Sequence, residues 1–226
     1  MSLGLDLKSA IEETGLSFGH YRDGVLLSSQ EFIWLKSNSQ VTKPFIREFF
    51  LEGNVAYDLD VRSGDVFLLS DTSTRYLIVH STPDSFENTV YRHSVVLYKA
   101  NALVSIVRPF QSRDSNSYLA KTHYSIVASG IYVTLTSPLY GHELNEDSPV
   151  GSVPTEIHEM YVPSSYGVKE TDIVKVGSDS FLVKAVKKRR YEGVDVLELR
   201  EDNSSETTTT TTTSSTTTTT TTTTAP

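Results

Sequence analysis

Apolar residues recur at helical spacing only near the start of the chain. Leu7 and Ile11 lie on one face of Leu5–Thr14, Leu3 extends that row, and Gly15 stands where a left-handed C-terminal cap is expected. After it the rhythm shortens. Leu16 to Leu27 is broken by Gly19 and by Asp23-Gly24, a hairpin-turn pair. Gln30–Leu35 fits either a strand or one helical turn. From Pro44 the pattern is β, with apolar runs Phe45–Phe50 and Val55–Val61 separated by Gly53-Asn54.

The next stretch occurs twice. Gly64-Asp65-Val66-Phe67-Leu68-Leu69 leads into a polar turn, then Arg75–His80, a loop through Pro83, and a strand over Val90–Lys99. Later, Asp172-Ile173-Val174 leads into a turn at Gly177-Ser178-Asp179, then Ser180–Val186, a turn at Glu192-Gly193, and a strand over Val194–Arg200. Asp65 matches Asp172, Tyr76 matches Phe181 and Leu77 matches Leu182. One such three-strand unit leaves a hydrophobic face and two edges open, so each copy must recruit neighbours. Phe45–Val61 and Leu103–Val107 are available to the first copy, and Tyr124–Leu135 and Glu156–Val162 to the second. About five strands per copy predicts two tandem small β-barrels, OB-like or SH3-like, behind a short N-terminal helix. The expected division is a helix and first barrel over 1–107, a linker over 108–121, a second barrel over 122–203 and a threonine-rich tail over 204–226. One large sandwich of ten or so strands is the competing architecture.

Composition narrows the function. The 226 residues include 12 Tyr and 9 Phe, no Cys, and a net charge of −8. The sixteen threonines between Glu206 and Pro226 have no large apolar residue among them, so burial cannot offset the entropy of ordering that tail. Without cysteine there is no disulfide framework and no thiolate metal site. The start lacks the basic and apolar regions of a secretion signal, and no apolar run reaches bilayer length. The expected setting is a cytoplasm or a particle assembled in one, with no membrane partner. The acidic charge argues against coating DNA, though not against a surface that DNA slides past.

Candidate chemistry is sparse. His20, His80, His93, His123, His142 and His158 show neither the spacing of a helical metal pair nor an HxH. His80 and His93 flank one hairpin and could approach each other diagonally. Glu143, Glu146 and Asp147 lack the oxygen spacing of a calcium loop. There is no GxSxG around Ser125 or Ser129, and no glycine-rich phosphate cradle. No catalytic residue, cofactor or metal is expected, and the chain reads as a non-enzyme. The basic run Lys187-Lys188-Arg189-Arg190, with Tyr191 beside it, is the candidate contact for DNA or a partner; a solvated hairpin end reads equally well.

The strings Gly64-Asp65-Val66…Arg75-Tyr76-Leu77-Ile78-Val79 and Asp172-Ile173-Val174…Phe181-Leu182-Val183…Leu199-Arg200-Glu201-Asp202 resemble head-closure (head-completion, or stopper) proteins of tailed bacteriophages. The resemblance implies a structural virion protein of the neck. It would form a homo-oligomeric ring, six- or twelve-fold, between the portal or adaptor and the tail terminator or tail tube. A loop would narrow the channel, in transient contact with genomic DNA; Ser81–Thr89 and Gly141–Thr155 are the candidate contact loops. The chain departs from a single-barrel member in its two copies and its threonine tail. The alternatives are a tandem-barrel module binding a glycan or peptide, or another virion protein such as a tail terminator or decoration protein.

Overall fold

The computed structural model describes residues 3–37, 49–113, 120–136 and 157–202. Helix α1 (Leu3–Thr14) precedes six strands: β1 (Leu16–Arg22), β2 (Val25–Ser37), β3 (Phe50–Ala56), β4 (Val66–Leu69), β5 (Arg75–Phe86) and β6 (Thr89–Lys99). Six more follow: β7 (Ala102–Arg113), β8 (Ala120–Thr136), β9 (Ile157–Pro163), β10 (Ile173–Val176), β11 (Asp179–Tyr191) and β12 (Val194–Glu201). They close into two antiparallel barrels, ordered β1-β2-β3-β6-β5-β4 and β7-β8-β9-β12-β11-β10. The protein is thus mainly β, with two tandem small barrels behind one short helix. Each barrel has six strands instead of about five. Adding six to each strand number converts one order into the other, so the repeat is a whole barrel.

The boundary falls earlier than the sequence suggests. The first barrel ends at Lys99, and β7 pairs with β8 and β10. Leu103–Val107 therefore belong to the second barrel, and Arg108–Arg113 continue the same strand in place of a linker. Beyond Val107, β7 pairs with β8 alone, forming a two-stranded ribbon. Its polar residues and Pro109 imitate a linker for that reason. The threonine tail and Gly141–Thr155 lie outside the described residues, as do Glu143, Glu146, Asp147 and most of Phe45–Phe50.

Two local readings also change. Gly15 is not left-handed: its N–H still reaches Ile11 O at 2.8 Å, and a Cβ there would stand 2.4 Å from that oxygen. Glycine is required by crowding as α1 turns into β1. Ser81–Thr89 is mostly hairpin, with β5 and β6 paired out to Phe86↔Thr89 around Glu87 and Asn88 at φ 48° and 62°. Pro83 is tolerated because β5 pairs with β4 only over Arg75–Leu77, so its missing N–H faces no strand. Gln30–Leu35 is strand, inside β2.

Each barrel is filled by alternating inward residues. Phe18, Ile33, Phe67, Ile78 and Leu97 pack in the first, with the Phe18 and Phe67 ring centroids 4.0 Å apart. Ile106, Val133, Met160, Val174 and Leu197 pack in the second. A third cluster, Leu77 with Tyr161, Val194 and Val196, joins the barrels. Leu77, Val194 and Val196 are fully buried, each contributing about 1.5–3 kcal/mol. At the same seam the backbones touch: a Cβ on Gly193 would lie 2.3 Å from Ser63 O. The seam is therefore a packed junction.

Candidate functional site

The repeated aspartates hold their barrels closed. Arg22, the last residue of β1, sends Nε to Asp65 Oδ1 at 2.7 Å and a terminal nitrogen to Asp65 Oδ2 at 2.8 Å. Arg108 on β7 makes the same fork to Asp172, both bonds at 2.8 Å. In each copy the N–H three residues earlier also donates to the aspartate, from Arg62 at 2.9 Å and from Lys169 at 2.8 Å. The residue before each aspartate, Gly64 or Thr171, has positive φ. Burial pushes the Asp65 carboxyl up, but Arg22, His20 and the Arg62 N–H overcome it and hold it below the ordinary range. The sequence repeat identified both aspartates; the arginines were missed because they lie 43 and 64 residues away in the chain.

Two of the four residues of the predicted basic run are paired with carboxylates. Lys187 pairs with Glu159 and Glu198, and Arg190 with Glu159. Tyr191 packs against the seam cluster. Lys188 and Arg189 are exposed. The run lies within β11, before the turn at Glu192-Gly193. Between Lys187↔Val196 and Tyr191↔Val194, three residues of β11 oppose the single residue Asp195. Asp195 is buried, and burial pushes its carboxyl up while Lys188 partly draws it back.

The remaining sequence candidates disperse. His80 Nε2 meets Thr82 Oγ1 at 2.8 Å and His93 Nε2 meets Tyr57 O at 3.2 Å, so the two do not converge. Ser129 faces Ser105 at 3.2 Å, and Ser125 donates to Arg108 O at 3.4 Å. Among the described residues no group of three or more His, Asp or Glu is placed to hold a metal ion. No helix among them is long and apolar enough to cross a membrane.

Two features stand out that the sequence did not single out. A cavity of about 410 Å³ opens where the barrels meet, walled by Tyr21, Val66 and Arg75 from the first and by Val127–Tyr132, Pro163 and Tyr166 from the second. Outward apolar residues also recur at matching places in the two barrels. Leu26 pairs with Tyr21 on β1, and Ile126 pairs with Val107 on β7. Leu26 is 48% exposed and Ile126 74%. Around them Val25, Leu27 and Tyr124 are exposed too, although each would be favoured inside a core.

No protein-family model matches this chain, and no curated protein matches it. Two solved structures are similar at low scores. The apo structure of MrkH from K. pneumonia has a TM-score of 0.19 at 6% identity, covering 88% of this chain and 83% of that one. The MrkH–c-di-GMP complex has a TM-score of 0.15 at 8% identity, covering 88% and 84%. Likeness at that level carries no argument about fold or function.

Proposed function

We propose that the chain is a structural virion protein of the tailed-phage neck, a subunit of a ring that joins head to tail and closes the DNA channel. The observation that carries this reading is the pair of exposed apolar residues at matching outward positions, Leu26 on the first barrel and Ile126 on the second. Contiguous exposed apolar residues mark protein contacts. Two such positions on one pair of barrels suit a head-to-tail contact between copies, which closes into a ring when the rotation allows. The repeated Asp-led hairpin that resembles head-closure proteins supports the same reading, and the net charge of −8 suits a channel wall that releases DNA. Lys188 and Arg189, exposed on β11, are the cations of that run with no ion pair among the described residues, and they suit a contact with DNA or a neighbouring protein.

Electron microscopy of the concentrated full chain tests this. The expected images are rings with a central opening wide enough for duplex DNA. Dispersed single particles or open filaments would count against it. A second reading, a tandem-barrel binding module for a glycan or peptide, rests on the tyrosine-walled cavity at the seam. A monomer that captures such a ligand would favour it.

A further inference from the structure

The cavity at the seam differs in chemistry from the rest of the molecule. Most arginines near the barrels are neutralised: Arg22, Arg62, Arg92, Arg108 and Arg190 each pair with a carboxylate. Arg75 is on the cavity wall and has no carboxylate at ion-pair distance among the described residues. Its guanidinium carbon lies 3.8 Å from the centroid of Tyr132, across the seam. A guanidinium held over a ring keeps N–H donors that can take a bidentate oxyanion. Asp23, the carboxylate on the same wall, accepts from Ser165 Oγ and makes no ion pair with Arg75.

The opposite wall is irregular. The β7–β8 register shifts between Val104 and Ser105 and again between Ile106 and Val107. Those shifts leave Gly130 and Val127 unpaired as bulges, and both line the cavity. Gly130 has φ +68°, and a Cβ built on it would meet nothing within 4 Å. Bulges bend a strand and re-aim its side chains beside functional sites. Here they carry Tyr132 to the cavity, where Tyr21 and Tyr166 supply two more rings. A volume of about 410 Å³ is of small-ligand size.

We infer that the seam is a binding site for a small, ring-bearing anion, with its phosphate or carboxylate on Arg75 and its ring against the tyrosines. Both barrels contribute to the wall, so occupation would tie them together. The site does not depend on ring assembly.

The test is calorimetric titration of the full chain with phenyl phosphate, inorganic phosphate and phenol separately. Phenyl phosphate is expected to bind saturably, at least about tenfold more tightly than either fragment, because charge-assisted and stacking contacts act together. Arg75→Gln is expected to remove that advantage while Tyr21→Leu weakens phenyl phosphate and leaves inorganic phosphate unchanged. Circular dichroism of each variant establishes that it is folded. Equal binding of phenyl phosphate to the Arg75→Gln variant, or no saturable binding to the unaltered chain, would overturn the site. Binding of phenol as tight as that of phenyl phosphate would overturn the role of Arg75.

Discussion

His20 in the first barrel and Ile106 in the second occupy the same position. Each sits two residues before the barrel's arginine and pairs with the second residue of the facing strand, Phe67 or Val174, and each is buried. The two barrels therefore match in backbone position there and differ in chemistry. His20 Nε2 lies 2.8 Å from Asp65 Oδ2, a partner that Asp172 lacks in the second barrel. Asp65 is held by Arg22, His20 and a backbone N–H together.

That comparison ranks the parts. Arg22→Ala leaves a buried carboxylate short of its main partner and is expected to cost about 3 kcal/mol, as is Arg108→Ala. His20→Ile installs the second barrel's own residue and gives up one hydrogen bond, so about 1 kcal/mol is expected. Urea denaturation of the three variants checks the order. A histidine replacement as costly as either arginine loss would show that the fork is not the main support.

Two of the three buried aspartates among the described residues, Asp65 and Asp195, give a pH dependence of opposite sign. Asp65 is held below its ordinary value in the fold, so its stabilisation is present above the unfolded value of about 3.9 and is lost as pH falls through the folded one. Asp65→Asn should melt well below the unaltered chain at pH 7 and approach it under acid.

Asp195 runs the other way. Burial raises its carboxyl, so the fold is favoured below the unfolded value of about 3.9 and loses that advantage as pH rises through the folded one. Asp195→Asn should raise stability at pH 7 by about 1 kcal/mol and change little at pH 3. A drop at pH 7 would mean that the carboxylate is bonded as an anion.

The seam offers a steric test. Gly193 has φ +73°, and any Cβ there would collide with Ser63 O at 2.3 Å. Gly193→Ala is expected to lower stability by more than about 1 kcal/mol. If the barrels fold alone, its melting should split in two. A single transition at the original temperature would mean that the seam is looser than its contacts indicate.

Much of this architecture could be read from residue order. The Asp-led hairpin announced the duplication because a turn, an alternating strand and a tight return leave local marks. Asp23-Gly24 and Glu192-Gly193 were legible for the same reason. Glu87-Asn88 was not, since Pro83 reads as a breaker unless the edge position of that part of β5 is known. Arg108–Arg113 read as linker because a ribbon paired on one side needs no buried face. The Arg–Asp forks and the seam cavity depend on contacts between distant strands, which no local pattern records. Lys187-Lys188-Arg189-Arg190 was conspicuous in sequence, yet Glu159 and Glu198 neutralise part of it.

The most direct test of the proposed role is the mass in solution, followed by multi-angle light scattering as concentration rises. It should be run on the full chain and on a Leu26→Lys, Ile126→Lys double variant. Both positions are exposed, so the variant should stay folded. The account predicts that the unaltered chain forms a discrete multimer of its 25.1 kDa mass, larger than a dimer, and that the double variant stays monomeric. A monomer at every concentration, or a multimer indifferent to the two lysines, would contradict it.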